Sequence, residues 1–201
     1  MAAGHHDGDL RRWARSVRDA RVEVVIRYGH EMNGFWYPWG TGRGADPVSV
    51  GADFVAAWNH ARDIFVEEGA RNARWMWSPN ISFPGSGALT NYWPGAGNVD
   101  LVGVSGYNHG TVQGSGRWIT PTELFGSTLD EISALTDMDV TIAETASAQR
   151  GGDRTAWITE LGRLVRSRSQ VNGVVWFSVD KERDWRLSAA DARTLREALG
   201  R

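Results

Sequence analysis

Cysteine is absent from the 201 residues, which excludes disulfide bridges, thiolate metal ligands and thiol nucleophiles. There is no Lys/Arg-rich stretch, and the formal net charge is only −2, so neither nucleic acid nor an anionic membrane surface is expected as a partner. No apolar run reaches the length of a membrane span. Residues 1–15, with His5, His6, Asp7, Asp9, Arg11 and Arg12, lack the apolar centre of a signal peptide, which leaves the compartment open. Linkers, low-complexity tracts and repeats are also missing, and the reading is of a single domain over 1–201. What the chain has in excess is tryptophan, eleven in all. Trp36, Trp39, Trp93, Trp118 and Trp185 lie among Gly, Pro, Asn and charged residues, where a loop is expected. Flat indole faces at loop positions suit the C–H face of a pyranose, with plain packing as the alternative.

Helical and strand patterns alternate from residue 10 onward. Leu10, Trp13, Ala14 and Val17 recur at helical spacing, and RVEVVIRY at 21–28 reads as a buried strand. Phe54, Trp58, Ala61 and Phe65 predict a second helix ending at Gly69, before a short strand at 73–78. A strand at 99–106 follows a Gly/Pro/Asn-rich loop. Thr120, Pro121 and Glu123 form a capping box with proline in the first helical position. A strand at 140–144, a helix capped by Asp153, a strand at 173–179 and a helix opened by Ser188 complete the chain. Five apolar strands alternating with helices indicate an α/β fold with a parallel sheet. Polar and aromatic residues gather just beyond the strands: His30, Glu31 and Asn33; Asn80; Tyr107, Asn108 and His109; Glu144; Ser178, Asp180 and Lys181. In barrels of alternating strands and helices that is where the chemistry sits.

Two of these residues are glutamates with different surroundings. Glu31 is flanked by His30 and Asn33, with Trp36, Tyr37, Pro38 and Trp39 beyond, and apolar walls there favour a protonated acid. Glu144 ends an otherwise uncharged strand, with Tyr107 on the strand before it placed to orient a carboxylate. One protonated and one ionised carboxyl are the equipment for glycoside hydrolysis, whereas salt bridging or capping is the bland alternative for each alone.

The segment RYGHEMNGFWYPWG at 27–40 closely resembles the acid/base motif of glycoside hydrolase family 26, the family of β-mannanases with some lichenases and β-1,3-xylanases. The similarity continues through YWPGAGNVDLVGVSGYN at 92–108, IAETAS at 142–147 and VVWFSVDKERDWRL at 174–187. It implies a partial (β/α)8 TIM barrel holding strands four to eight with their helices, and it places the first three strand–helix units outside this chain. It further implies that Glu31 is the acid/base and Glu144 the nucleophile of a retaining, double-displacement hydrolase, with carboxyls about 5–5.5 Å apart. His30 would sit beside the acid, Tyr107 would hold the nucleophile, Trp176 would lie beneath the sugar at the cleavage point, and Arg27, Asn33 and Trp36 would line the pocket. The implied substrate is a β-linked polysaccharide, β-1,4-mannan first, with mixed-linkage β-glucan, β-xylan or a self-made exopolysaccharide as alternatives. A non-catalytic carbohydrate-binding remnant is the reading from a different class. No cofactor is expected.

Three weaker signals have plainer readings. HHDGD at 5–9 with His30 suggests metal ligands, yet paired histidines ahead of a helix are ordinarily solvated, and no metal is expected. NHGTVQGSG at 108–116 is glycine-rich but has no Lys-Ser/Thr ending, and reads as a loop at the rim of a cleft. Asp180, Glu182 and Asp184 alternate with Lys181, Arg183 and Arg186, a salt-bridged loop more than a calcium site.

Overall fold

In the computed structural model, which describes residues 2–111 and 116–200, the chain packs as two compact units, Met1–Val102 and Gly103–Arg201. The first opens with α1, Asp7–Ala20, which buries Leu10, Ala14 and Val17 on one face and ends where Arg21 turns left-handed at φ 55°. That cap explains why β1 is only Val24–Ile26 and shorter than the apolar run at 21–28: its first residues leave the helix, and the chain turns again from Arg27. Helix α2, Pro47–Glu67, begins well before its aromatic stripe. Asp46 caps it by accepting from the backbone N–H groups of Val48 and Ser49, and Pro47 occupies the first turn.

Strand β2, Ala73–Trp77, pairs in parallel with β1 (Val24 opposite Ala73, Ile26 opposite Trp75) and with the start of β3, Leu101–Asn108 (Trp77 opposite Val102). The core between α2 and these strands is aromatic. Trp75 meets Tyr28, Trp58 and Phe65 with ring centroids 5.2–6.0 Å apart, and fully buried Trp77 donates its indole N–H to the Tyr92 carbonyl at 2.8 Å. Both tryptophans are therefore packing residues. Gly51 lets α2 pass against the turn at Leu89–Tyr92, since a Cβ there would lie 2.3 Å from the Asn91 carbonyl oxygen.

In the second unit α3 is Pro121–Leu135, and its capping box is as the sequence predicts: Thr120 Oγ1 accepts from Glu123 N and the Glu123 carboxylate accepts from Thr120 N. Those bonds, with Arg117, pull the Glu123 carboxyl down to a pKa of about 2. Strand β4, Val140–Ser147, runs three residues beyond its predicted end, so Glu144 lies within the strand. Asp153 caps α4, Arg154–Ser167; β5 is Val171–Trp176; and Ser188 caps α5, Ala189–Ala198, with Asp191 completing a second capping box. Strands β4 and β5 are parallel, and the strand order is β1-β2-β3-β4-β5, so each successive strand lies beside its predecessor. Among the described residues no helix is long and apolar enough to cross a membrane.

Candidate active site

Glu31 is held by its backbone before its side chain is considered. Its N–H donates to the Ser78 carbonyl at 2.7 Å, its own carbonyl accepts from Gly34 N at 2.9 Å, and its φ is +56°. A left-handed conformation costs a residue with a Cβ about 1–2 kcal/mol. The surrounding turn imposes it, and the side chain is thereby turned into protein: Glu31 is only 5% exposed. Its Oε2 accepts from the Trp36 indole N–H at 2.6 Å and its Oε1 from the Asn80 amide at 3.2 Å.

Each donor has its own support. Asn33, 1% exposed, grips the Asn80 backbone with both ends of its amide, accepting from Asn80 N at 2.8 Å and donating to Asn80 O at 2.9 Å. Trp36 lies back over Gly34, where a Cβ would come within 2.5 Å of the indole. Arg27 donates from Nε and Nη2 to Ser78 Oγ at 3.3 and 3.0 Å, bracing the residue whose carbonyl holds Glu31. His30 packs edge-on to Tyr37 at 4.8 Å and tilted to Trp39 at 5.6 Å, and Tyr37 and Trp39 stack at 4.5 Å. Arg27, His30, Asn33 and Trp36 are thus brought together around Glu31 within the first unit. Asn80, a polar residue beyond β2, belongs with them through a side-chain bond that spacing alone does not reveal.

In the second unit Glu144 stands at an irregularity of β4. Ile142 is opposite Val174 and Thr145 is opposite Trp176, so three residues of β4 span two of β5, and the bulge falls at Ala143–Glu144. Bulges bend a strand locally and re-aim the side chains on it. The Tyr107 hydroxyl donates to Glu144 Oε1. The Tyr107 ring is packed by His109, Phe177 and Trp185, with centroids 5.8, 5.9 and 5.2 Å away.

Trp185 corrects one expectation. It is fully buried, its indole N–H on Glu182, and it serves packing instead of an exposed sugar face. Trp36 and Trp39 keep exposed faces, at 43% and 42%. Trp176 stands apart from the rings packed on Tyr107: it meets Trp157 edge-on at 5.9 Å, lies 5.3 Å beneath the Arg154 guanidinium and donates to the Trp185 carbonyl at 2.8 Å. Consecutive residues of an extended chain face opposite ways, so its neighbour Phe177 is the one that reaches Tyr107.

The carboxylates at 180–184 form a loop of internal bonds. Arg186 pairs with Asp180 at 3.1 Å and Asp184 at 2.7 Å, and Glu182 takes the Trp185 N–H. Arg183 donates to the His109 carbonyl at 2.7 Å, and burial, then the Arg183 charge, lowers the His109 pKa. Asp7 of the HHDGD segment is partnered by His60 at 2.6 Å. Among the described residues no group of three or more His, Cys, Asp or Glu is placed to hold a metal ion. Residues 112–115 of the glycine-rich segment lie outside the described residues.

Comparison with known proteins places this arrangement in a family. The model of glycosyl hydrolase family 26 matches residues 8–161. Endoglucanase H of Acetivibrio thermocellus is 34% identical over 202 residues, covering 98% of this chain and 22% of that protein. A mannan endo-1,4-beta-mannosidase of Caldalkalibacillus mannanilyticus is 33% identical over 89 residues, covering 43% of this chain and 17% of that protein. A Bacillus subtilis mannanase superposes with a TM-score of 0.65 at 19% identity, over 94% of this chain and 51% of its own. A GH26 β-mannanase from Bacteroides ovatus superposes with 0.64 at 17% identity, over 99% and 58%. The chain therefore spans a fifth of the length of these curated relatives and about half that of the solved neighbours. The structural likeness shows the fold, successive strand–helix units of a (β/α)8 barrel. The family match and the relative that covers nearly the whole chain show the lineage: this chain belongs to glycosyl hydrolase family 26.

Proposed function

We propose that the chain carries the acid/base and the nucleophile of a retaining hydrolase of β-linked polysaccharide, with Glu31 and Glu144 in those roles and 1–201 as one catalytic domain. The observation that carries the reading is that each glutamate has its own dedicated hydrogen-bond donors, Trp36 and Asn80 for Glu31 and Tyr107 for Glu144. Trp36, Asn80 and Tyr107 are neutral donors, and a donor of that kind orients a carboxyl group without adding a charge beside it.

The steps follow from double displacement. A Glu144 carboxylate oxygen attacks the anomeric carbon as the glycosidic C–O bond breaks, and Glu31 gives its proton to the departing oxygen. Glu31, now ionised, takes a proton from water, whose oxygen joins the anomeric carbon and releases Glu144. Tyr107 fixes the attacking carboxylate, and no cofactor enters.

β-1,4-Mannan is the first substrate, in keeping with the mannosidase and mannanase relatives. β-Glucan is the second reading, favoured by the relative matched along 98% of this chain, which is named an endoglucanase. Reducing-end release from mannan, mixed-linkage glucan and xylan separates them. Glu144→Ala abolishes turnover of polysaccharide and of aryl glycosides alike, whereas Glu31→Ala retains activity on aryl glycosides with good leaving groups, which need no proton. Equal loss on both substrate types in Glu31→Ala refutes its role; glycan binding without release by wild type marks a binding remnant.

A further inference from the structure

Asparagine is followed by glycine at two places, Asn33-Gly34 and Asn172-Gly173. At such a step a chain readily attacks itself, because glycine has no Cβ to hinder its backbone nitrogen as it closes on the asparagine side chain. We infer that Asn172 is a site of spontaneous deamidation in the folded chain, assisted by the Thr141 hydroxyl, and that the fold shields Asn33 from the same reaction. Neither Glu31 nor Glu144 has a part in it.

The two asparagines are held in opposite ways. Asn33 is 1% exposed, and its amide is bonded at both ends to the Asn80 backbone. The nitrogen that would attack it, Gly34 N, donates to the Glu31 carbonyl at 2.9 Å, and the Trp36 indole closes over Gly34. Asn172 is exposed, on the last strand of the sheet. Val140 is opposite Val171 and Thr141 is opposite Gly173, so Asn172 is the extra residue of a bulge in β5. Such a residue is left unpaired and the ladder is broken around it. Beyond its chain neighbours, only the Thr141 methyl group comes within 4 Å of where a Cβ on Gly173 would stand, at 3.8 Å, which leaves room for a ring to close. Thr141 Oγ1 also donates to Asn172 Oδ1 at 2.8 Å. Negative charge develops on that oxygen when its carbon is attacked, and a donor already aimed at it stabilises the charge.

The reaction needs only water and hydroxide. The Gly173 nitrogen gives its proton to hydroxide and bonds to Asn172 Cγ; the Cγ–Nδ2 bond breaks, and ammonia leaves with a proton from water. Water then opens the cyclic imide, giving aspartate where it attacks Cγ and isoaspartate where it attacks the main-chain carbonyl carbon. Nothing is oxidised or reduced. Isoaspartate routes the main chain through the side chain and so adds a carbon to β5. Strand β4 has its own extra residue between Ile142 and Thr145, and the two irregularities offset each other, which brings Thr145 and Trp176 back into step. The added carbon upsets that match in the strand leading to Phe177 and its contact with Tyr107.

The test incubates the intact chain at mildly alkaline pH, digests it under acid conditions that stop further reaction, and follows the peptide holding each asparagine by mass spectrometry. Electron-based fragmentation tells isoaspartate from aspartate. In the folded wild type Asn172 should react at least about tenfold faster than Asn33, which must first break two amide hydrogen bonds. In urea the two should react at comparable rates. Thr141→Val should slow Asn172 about three- to tenfold, and Gly173→Ala should slow it further, with circular dichroism confirming that both variants fold. Equal rates at the two asparagines in the folded chain, or an unmodified Asn172, overturn the site. A Thr141→Val rate equal to wild type overturns the part given to the hydroxyl. A preference for Asn172 that persists undiminished in urea overturns the shielding of Asn33 by the fold.

Discussion

Asn33 is the residue whose removal the structure prices most clearly. Its amide satisfies both backbone groups of Asn80, which is itself buried, and Asn80 then presents its own amide to Glu31. Asn33→Ala leaves a buried N–H and a buried C=O without partners, at about 1–3 kcal/mol each. A loss of roughly 3–4 kcal/mol lowers Tm by about 6–16 °C in a chain of this size. Asn33→Asp sharpens the test because its defect depends on pH. The aspartate still accepts from Asn80 N, but ionised it sets a second acceptor against Asn80 O; protonated, it donates there as asparagine does. The folded state therefore prefers the protonated form, and the folded pKa rises above the unfolded value of about 3.9. The deficit relative to wild type is present above that raised pKa and closes as pH falls through it. Thermal unfolding of wild type and both variants, followed by near-ultraviolet circular dichroism from pH 7 to pH 4, measures this. An Asn33→Ala protein within about 0.5 kcal/mol of wild type, the range of an ordinary surface substitution, refutes the reasoning. So does an Asn33→Asp deficit that does not change with pH.

Three further outcomes are expected. Because burial and Arg183 lower the His109 pKa, the unfolded chain takes up this proton first as pH falls below about 6.5, so stability declines through that range to the lower folded pKa; His109→Leu should flatten that part of the stability–pH curve. Tyr107→Phe removes the hydroxyl from Glu144 but keeps the ring among His109, Phe177 and Trp185, and kcat should fall about 10- to 100-fold with little change in Tm, read by paired kinetics and unfolding. Gly34→Ala drives a methyl into the Trp36 indole, costing about 1–3 kcal/mol, and, with Glu31 in the role proposed for it, should reduce turnover of polysaccharide more than turnover of activated aryl glycosides, since it displaces a donor to Glu31.

The order of elements was legible because α1 shows its apolar spacing and three of the later helices announce their starts chemically. Thr120-Pro121-Glu123, Asp153 and Ser188 all cap where their residue types and spacing place them. Asp46-Pro47 carries the same signal, but the aromatic stripe beginning at Phe54 drew the predicted start inward. Strand ends were less legible, since they depend on pairing with residues distant in sequence: β4 outlasts its apolar stretch by pairing through Thr145 with Trp176. The residues around Glu31 form a contiguous segment, and they gather around it in the first unit. What spacing could not give were the contacts closed by other loops, such as Asn80 on Glu31, Phe177 on Tyr107, and the burial of Trp185. Tryptophan in a polar loop is ambiguous on composition alone: Trp36 keeps a free face, while Trp185 is folded under by the salt-bridged turn at 180–186.

The extra residue in β4 gives that strand an unusual sensitivity to length. Deleting Ala143 would remove this bulge and set Ile142, Glu144 and Thr145 one for one against Val174, Val175 and Trp176. Thr145 and the residues after it would keep their register and faces, and the change would fall on Glu144, which would lose the bend that aims it at the Tyr107 hydroxyl. A protein so shortened would keep its sheet while one carboxylate lost its direction, which makes the step between Ile142 and Thr145 a place where a change of length acts on a single side chain.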